Sequence, residues 1–140
     1  MNRAANYISM AKKAGLIELG EANTGAAARA GRARLVILAA DASENAADRA
    51  RGFMSGRSAP LMTAPLTKAE LAAAVGKSEC SMAAFTDLGI AASFAEALGG
   101  NGGEWDICAR ELREKLQRAK RRKTERGSAA ARHEAGNKEE

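Results

Sequence analysis

The chain is poor in the residues that hold metal ions and form disulfides. Its 140 residues include one histidine and two cysteines, and Cys80 and Cys108 stand far apart, without a Cys-x-x-Cys pair. Zinc sites and disulfide frameworks need several such residues at characteristic spacings. The sequence therefore predicts neither a metal site nor a disulfide framework.

Long apolar runs are also missing. No stretch of the sequence approaches the roughly 20 apolar residues that span a bilayer, and the N-terminus lacks the apolar centre of a secretion signal. We expect a cytoplasmic protein with no membrane partner.

Catalytic motifs are equally scarce. The only histidine is His133, so neither cysteine has a nearby histidine partner, and the sequence contains no Gly-x-x-x-x-Gly-Lys phosphate loop. Carboxylates stand mostly where helices are predicted to begin, and helix capping accounts for them there. A carboxylate acid/base pair stays open as a catalytic arrangement, but no spacing indicates it. We expect no catalytic residues, no cofactor and no small-molecule substrate, and hence a protein that is not an enzyme.

Charge is plentiful but unevenly distributed. Residues 1–34 carry a net charge of +4, residues 35–98 a net charge of −2 and residues 99–140 a net charge of +3. Two basic ends favour a polyanionic partner such as a nucleic acid, although a solvated charged surface accounts for the same pattern. Charge alone leaves both interpretations open.

The run Leu35–Leu38 is the clearest fold signal. Its four apolar residues are too few for a helix and are typical of a strand buried on both faces. Helical patterns precede and follow it, so we expect helices on both faces of a sheet. Further strands are predicted at 16–19, 60–65 and 80–86, and prolines place the strand at 60–65 near an edge. The prediction is an α/β fold, a three-layer α/β/α sandwich with four strands and five helices, forming one domain over residues 1–98.

Capping residues indicate where the predicted helices begin and end. Gly20 and Gly31 bound the second helix, in which Gly25 indicates either poor helix propensity, the interpretation we favour, or close approach to another backbone or to a ligand. Asp41 and Thr67 are each followed three residues later by Glu, the spacing of a capping box. Asp41 also follows a buried strand, where functional groups often lie, but a cap is sufficient to explain it. The remaining predicted caps are Gly15, Gly76 and Asp87.

The C-terminal part of the chain has a different composition. Residues 99–103, Gly-Gly-Asn-Gly-Gly, predict a flexible hinge. Beyond the hinge a helix is predicted, with five cations in the six residues 118–123. Its apolar stripe consists of Trp105, Cys108, Leu112, Leu116 and Ala119. Such a helix docks on the body, docks on a partner or stays partly unformed, and we expect its cations to add salt-dependent affinity for RNA. From residue 127 onward the small, polar composition predicts disorder, with His133 in solvent.

Several blocks of the chain together resemble a known family. The blocks are Ala-Gly-Leu-Ile-Glu-Leu-Gly-Glu at 14–21, Arg-Ala-Gly-Arg-Ala-Arg-Leu-Val-Ile-Leu-Ala-Ala-Asp-Ala-Ser-Glu-Asn at 29–45, Thr-Lys-Ala-Glu-Leu at 67–71, Val-Gly at 75–76 and Thr-Asp-Leu-Gly at 86–89. In order and spacing they are similar to the bacterial YlxQ-type proteins, members of the superfamily of ribosomal proteins L-seven-Ae and L-thirty-e. The resemblance covers residues 3–98 and none of 99–140. It implies a mixed four-stranded α/β/α sandwich and an RNA-binding, ribonucleoprotein function, typically at kink-turns, which are bent helix–bulge–helix elements with sheared G·A pairs.

The resemblance also implies two surfaces that contact RNA. In the family, the start of the second helix enters the groove at the kink, and the loop before the last strand packs on extruded nucleotides. Matched by position, the first surface comprises Gly20, Glu21, Ala22, Asn23 and Ala26, with Arg29 and Arg32 adding positive charge, and the second comprises Ser78, Glu79, Cys80 and Ser81. A helix N-terminus offers free N–H groups to phosphates, and an Asn side chain offers a donor and an acceptor to base edges.

The chain departs from the family at the first surface. Kink-turn binders commonly show Gly-x-Asn-Glu-x-x-Lys, where this chain has Ala22, Asn23 and Ala26 at the Asn, Glu and Lys positions. Loss of the Lys removes a phosphate contact, and loss of the Glu changes how guanine edges would be recognised. Two interpretations remain: a monomeric protein that binds structured RNA, such as a kink-turn or a bent element of ribosomal RNA, or a protein-interaction module of the same fold with a degraded RNA site.

Overall fold

The fold is built on a four-stranded mixed sheet. The computed structural model describes residues 3–76 and 79–139, with side chains described as far as Arg126. The strands are β1 (Ile17–Leu19), β2 (Leu35–Leu38), β3 (Leu61–Thr63) and β4 (Met82–Phe85), and the helices are α1 (Arg3–Ala14), α2 (Glu21–Arg29), α3 (Glu44–Met54), α4 (Lys68–Val75), α5 (Leu88–Leu98) and α6 (Glu104–Glu139). None of the helices in the described part of the chain is long and apolar enough to cross a membrane.

The strand order explains which ends of the helices meet. The sheet has the order β1-β4-β2-β3, so β2 lies in the interior and β3 at an edge, as the sequence predicts. β4 is antiparallel to both of its neighbours, whereas β2 and β3 are parallel. It follows that β1, β2 and β3 all run in one direction. The helices that follow these three strands, α2, α3 and α4, therefore begin at the same end of the sheet, next to the carboxyl ends of β1, β2 and β3.

Alternate residues of β2 face opposite helical layers. Leu35 and Ile37 belong to an apolar cluster that includes residues of α1, α4, α5 and α6. Val36 packs with residues of α2 and α3, and Leu38 packs with residues of α3. This alternation follows from the two-residue period of a strand. Helices thus cover both faces of the sheet, which confirms the predicted three-layer α/β/α sandwich.

Three side chains are predicted as N-caps, Asp41, Thr67 and Asp87, of which two are confirmed and one is wrong. Thr67 forms a complete capping box at the start of α4, and the Asp87 carboxylate accepts from the N–H of Ile90 at 3.0 Å at the start of α5. At α3 the cap is Ser43, whose hydroxyl accepts from the backbone of the first turn, rather than Asp41. Ala42 and Ser43 separate Asp41 from the start of the helix, so its carboxylate bonds elsewhere.

Gly25 allows α2 and α3 to pack closely. A Cβ atom at this position would lie 2.9 Å from two ring carbons of Phe53 on α3. Atoms at that distance overlap, so the glycine is explained by close approach of a neighbouring side chain. The close neighbour is a side chain rather than the backbone or the ligand expected from the sequence, and poor propensity alone does not account for the glycine.

α6 docks on the body of the protein, along α5. The Trp105 ring packs edge-on against Phe94 of α5, with the ring centroids 5.7 Å apart. Cys108 and Leu112 are buried one and two turns further along, and Arg113 pairs with Glu96 of α5. Of the three alternatives that the sequence leaves open for this helix, the structure shows docking on the body.

The glycine-rich linker between α5 and α6 is held by one carboxylate. Asp106, in the first turn of α6, accepts from the backbone N–H of Gly100 at 2.7 Å and of Gly102 at 2.6 Å. These hydrogen bonds hold the pKa of the Asp106 carboxyl below its ordinary value. The linker is therefore folded back on the start of α6 rather than extended.

The backbone of α6 is longer than the sequence predicts. The composition from residue 127 onward predicts disorder, whereas the helix continues to Glu139. A run of alanines follows Ser128, and alanine has the highest helix propensity of all residues. The small, polar composition of this segment thus does not outweigh its local preference for a helix.

Candidate nucleic-acid interface

The first turn of α2 is fixed by Gly20. This residue has φ 87°, a conformation that side-chain-bearing residues rarely adopt, and its N–H donates to the carbonyl oxygen of Met82 at 2.9 Å. The bond joins the start of α2 to the start of β4. Within the described residues α2 has no side-chain cap, so the N–H groups of its first turn lack intrahelical acceptors and carry the positive end of the helix dipole.

Three helices begin around one groove. Gly20, Ser43 and Thr67 are the N-cap residues of α2, α3 and α4, which share an end of the sheet. Residues 79–81, which lead into β4, reach the same end because β4 runs in the opposite direction. Together these segments enclose a groove of about 370 Å³. The groove is lined by Gly20, Glu21, Ser43, Ala46, Arg49, Lys68, Glu79, Cys80 and Ser81.

The two sequence-predicted surfaces therefore meet. Gly20 and Glu21 from the first surface and Glu79, Cys80 and Ser81 from the second line the same groove. Cys80 is only 4% exposed, so it shapes the floor of the groove. Ser78, the remaining member of the second surface, lies outside the described residues.

Two exposed ion pairs set the charge of the groove. Arg49 pairs with Glu21 at 3.0 Å, and Lys68 pairs with Glu79 at 3.1 Å. Exposed pairs of this kind contribute little to stability, so a ligand anion replaces one partner at small cost. The two cations balance the two carboxylates, and α3 and α4 are capped by their own side chains, so the uncapped start of α2 supplies the remaining attraction for an anion.

Asn23 stands beside the groove on the exposed face of α2. Its side-chain N–H donates to the carbonyl oxygen of Leu19 at 2.9 Å, which orients the amide. The bond uses one donor and leaves the side-chain oxygen as an acceptor. Ala22 and Ala26 share this exposed face, one turn apart, and give it a shallow apolar surface.

Arg29 and Arg32 lie away from the groove. They stand at the other end of α2, and a nine-residue helix is roughly 13 Å long. Both are exposed, and Arg32 lies 3.6 Å from a carboxylate oxygen of Glu18. Their positive charge therefore belongs to the opposite end of the sheet.

Sequence reasoning missed four groove residues. Ser43, Ala46 and Arg49 belong to the start and second turn of α3, and Lys68 begins α4. The available signal was strand direction, because the carboxyl ends of parallel strands meet at one end of the sheet. Asp41 reinforces this arrangement, since its carboxylate accepts from the backbone N–H of Lys68 at 2.7 Å and ties the start of α4 to the loop after β2.

Comparison with known protein families shows which family the chain belongs to. Residues 2–94 match the family described as the ribosomal protein L7Ae/L30e/S12e/Gadd45 family. The chain belongs to this family. The match spans the sandwich and the groove and ends within α5, so α6 lies outside the part that the family model matches. No curated protein gives a significant match.

Solved structures share the fold of this L7Ae/L30e/S12e/Gadd45 family member. A protein of unknown function from Bacillus halodurans superposes with a TM-score of 0.64 at 21% identity, covering 70% of this chain and 98% of that one. The 15.5kD RNA binding protein of Giardia lamblia superposes with a TM-score of 0.54 at 21% identity, covering 68% of this chain and 81% of that one. These superpositions show that the chain has the same backbone fold as both proteins.

Proposed function

We propose that the protein is a non-enzymatic RNA-binding protein that recognises a bent, bulged RNA element of the kink-turn type in structured RNA, such as ribosomal RNA. The groove formed by the starts of α2, α3 and α4, together with the exposed face of α2, is the recognition surface. The observation that carries the proposal is the convergence of three helix starts on one groove in a member of this family. The 15.5kD relative from Giardia lamblia, described as an RNA binding protein, supports the same ligand class.

The chemistry of the groove suits a strand that bends sharply. Helix N-termini bind phosphates through backbone N–H groups, and a kink presents several phosphates close together. Asn23 offers an acceptor to base edges, which single-stranded bulges expose and continuous helices do not. Ala22 and Ala26 leave room for a base to pack on α2, in place of the charged contact that other family members make there.

A binding titration tests this function. The full chain is titrated with a kink-turn RNA and with a control RNA in which Watson–Crick pairs replace the sheared G·A pairs, at low and near-physiological salt. We expect a preference for the kink-turn that persists at the higher salt, because base and shape contacts are less salt-dependent than phosphate contacts. Equal binding to the two RNAs, or no binding to either, contradicts the proposal; the second outcome favours the protein-interaction alternative.

A pair of matched variants assigns the preference to α2. Asn23→Ala removes the amide beside the groove and is expected to reduce discrimination between the two RNAs. Asn6→Ala removes an exposed amide from α1, which packs on the other face of the sheet, and is expected to leave discrimination unchanged. An equal effect of both variants would mean that the face of α2 is not the specific surface.

A further inference from the structure

A second cavity lies at the opposite end of the sheet from the groove, near the start of β2 and β3. It has a volume of about 580 Å³ and is enclosed by the segment after α2, the segment after α3, the start of α5 and the middle of α6. We call it the α6 cleft. It contains none of the residues that line the groove, and α6 lies beyond the part of the chain that matches the family.

The α6 cleft is strongly basic. Among its described lining residues five carry positive charge and none carries negative charge. The five are Arg34, Arg57, Lys115, Arg118 and Arg122. None of them forms an ion pair with a described side chain, in contrast to Arg49 and Lys68 of the groove.

The docking of α6 builds this concentration of charge. Lys115, Arg118 and Arg122 follow one another at intervals of three and four residues, so they share a face of the helix. The Lys115 ammonium donates to the carbonyl oxygen of Ser58 at 3.1 Å, which fixes that face against the segment after α3. The body then supplies Arg34 and Arg57 from the other side of the cleft.

Five like charges around one cavity repel one another, and this repulsion lowers stability until an anion enters. Arginine dominates the set, and its planar guanidinium donates to phosphate oxygens in a fixed, forked geometry. The chemistry therefore fits an extended polyanion with several phosphates better than a single carboxylate.

We propose that the α6 cleft binds the phosphodiester backbone of RNA, as a second contact that is independent of sequence. The inference rests on the proposed function, because the RNA held in the groove is the ligand that reaches the cleft. α2 connects the two sites: Gly20 lines the groove, Ala28 lines the cleft, and the exposed Asn23 and Ala26 lie between them. One helical arm of a bent RNA thus runs along α2 from the groove to the cleft.

The experiment measures how RNA affinity depends on salt. The double variant Arg118→Gln/Arg122→Gln removes two cations from the cleft. The double variant Lys120→Gln/Arg121→Gln removes two exposed cations from the same helix that do not line the cleft, so both variants have the same net charge. Dissociation constants are measured for the kink-turn RNA and its Watson–Crick control over a series of salt concentrations.

We expect the cleft variant to weaken binding of both RNAs and to reduce the slope of log affinity against log salt by about 2, one for each lost phosphate contact. The matched variant is expected to keep a slope close to that of the wild type. Equal losses in the two double variants would overturn the proposal, because they would show only the diffuse attraction of a basic helix.

A variant on the body side tests whether both walls of the cleft contact RNA. Arg57→Gln leaves α6 intact and is expected to lower the slope by about 1, whereas Arg51→Gln, an exposed arginine of α3 outside the cleft, is expected to leave it unchanged. An unchanged slope for Arg57→Gln would overturn the proposal even if the α6 variants bind weakly.

The two proposals fail in different ways. Equal binding of the two RNAs by the wild type overturns the function proposed for the groove. The difference in salt slope between the cleft variant and its matched variant still tests the cleft. A clear preference combined with identical slopes for the cleft and matched variants overturns only the cleft.

Discussion

Arg49 of α3 reaches across the groove to Glu21 in the first turn of α2, and its Nη1 atom lies 3.0 Å from both carboxylate oxygens. The pair joins two helices whose starts form the candidate RNA interface. In the proposed complex a phosphate would replace the Glu21 carboxylate beside this guanidinium. Arg49 is therefore, like Lys68, a groove cation that would exchange a carboxylate partner for a phosphate in the proposed complex.

Arg49→Gln is expected to weaken binding to the kink-turn RNA and to lower the salt slope by about 1, because one phosphate contact is lost and Glu21 is left unpaired. Titration over a salt series checks this result. Arg51→Gln, two residues along the same helix, is the matched control, since Arg51 pairs with Asp48 outside the groove. Indistinguishable slopes for the two variants would show that Arg49 does not contact RNA.

Gly25→Ala is expected to destabilise the protein by about 1 kcal/mol, because the overlap of the new methyl group with the Phe53 ring outweighs the gain in helix propensity. Gly52→Ala on α3 is the matched control: a Cβ there meets nothing within 4 Å, and we expect a gain of about 0.5–1 kcal/mol from helix propensity. Urea unfolding measures both changes. If Gly25→Ala is stabilising, α2 and α3 separate easily and the close packing has no energetic role.

Thr24→Val is expected to stabilise the protein by about 1 kcal/mol or leave stability unchanged. The Thr24 side chain is fully buried, and its hydroxyl finds no hydrogen-bond partner among the described residues. Valine has nearly the same shape and removes the cost of burying that unpaired hydroxyl. Calorimetric melting measures the effect, and a loss above about 1 kcal/mol would mean that the hydroxyl does have a partner.

Cys108 gives the stability of the protein a specific dependence on alkaline pH. Burial, followed by the nearby Glu111 carboxylate, raises the pKa of the Cys108 thiol from 9.0 to about 11. The folded state binds this proton more tightly than the unfolded state does. The protonated thiol therefore stabilises the folded state fully below pH 9, and this stabilisation is lost as the pH rises toward 11. We expect the wild type to lose on the order of 2 kcal/mol more than Cys108→Ala over this range, measured by urea unfolding. Parallel pH profiles for the two proteins would contradict this.

Asp106 gives the stability of the protein a dependence on acidic pH, with the opposite sign. Its pKa is lowered by the N–H groups of Gly100 and Gly102, so its contribution is present above the ordinary pKa of 3.8 and is lost as the pH falls through the lower folded value. Asp106→Asn is expected to loosen the start of α6 at neutral pH and to remove this acid-dependent step. The fluorescence of Trp105, the only tryptophan, follows the docking of α6. An unchanged acid profile in Asp106→Asn would show that the linker does not depend on this carboxylate.

Local signals predicted the sheet and most of the helices. Leu35–Leu38 identified the interior strand because a strand buried on both faces must be apolar at every position. Thr67 and Asp87 were predictable as caps because a cap acts on its own first turn. Asp41 was mistaken for a cap because its partner, the backbone of Lys68, lies 27 residues away in sequence. Spacing along the chain carries no information about such a partner.

The candidate site was predictable only in part, for the same reason. The resemblance supplied Gly20 and Glu21 together with residues 79–81, whereas Arg49 and Lys68 enter the groove through the directions of β2 and β3. The role of Gly25 depends on Phe53 in a different helix. The α6 cleft required knowing where a helix docks, and the basic run at 118–123 indicated a charge without indicating its position.

The sheet ends on both sides in a strand of only three residues, β1 on one edge and β3 on the other. Each edge therefore exposes a short row of backbone groups, and Pro60 directly before β3 has no N–H with which to extend that row. Such edges give a strand from another molecule little to pair with. The architecture thus guards against edge-to-edge pairing and fibre formation at high protein concentration.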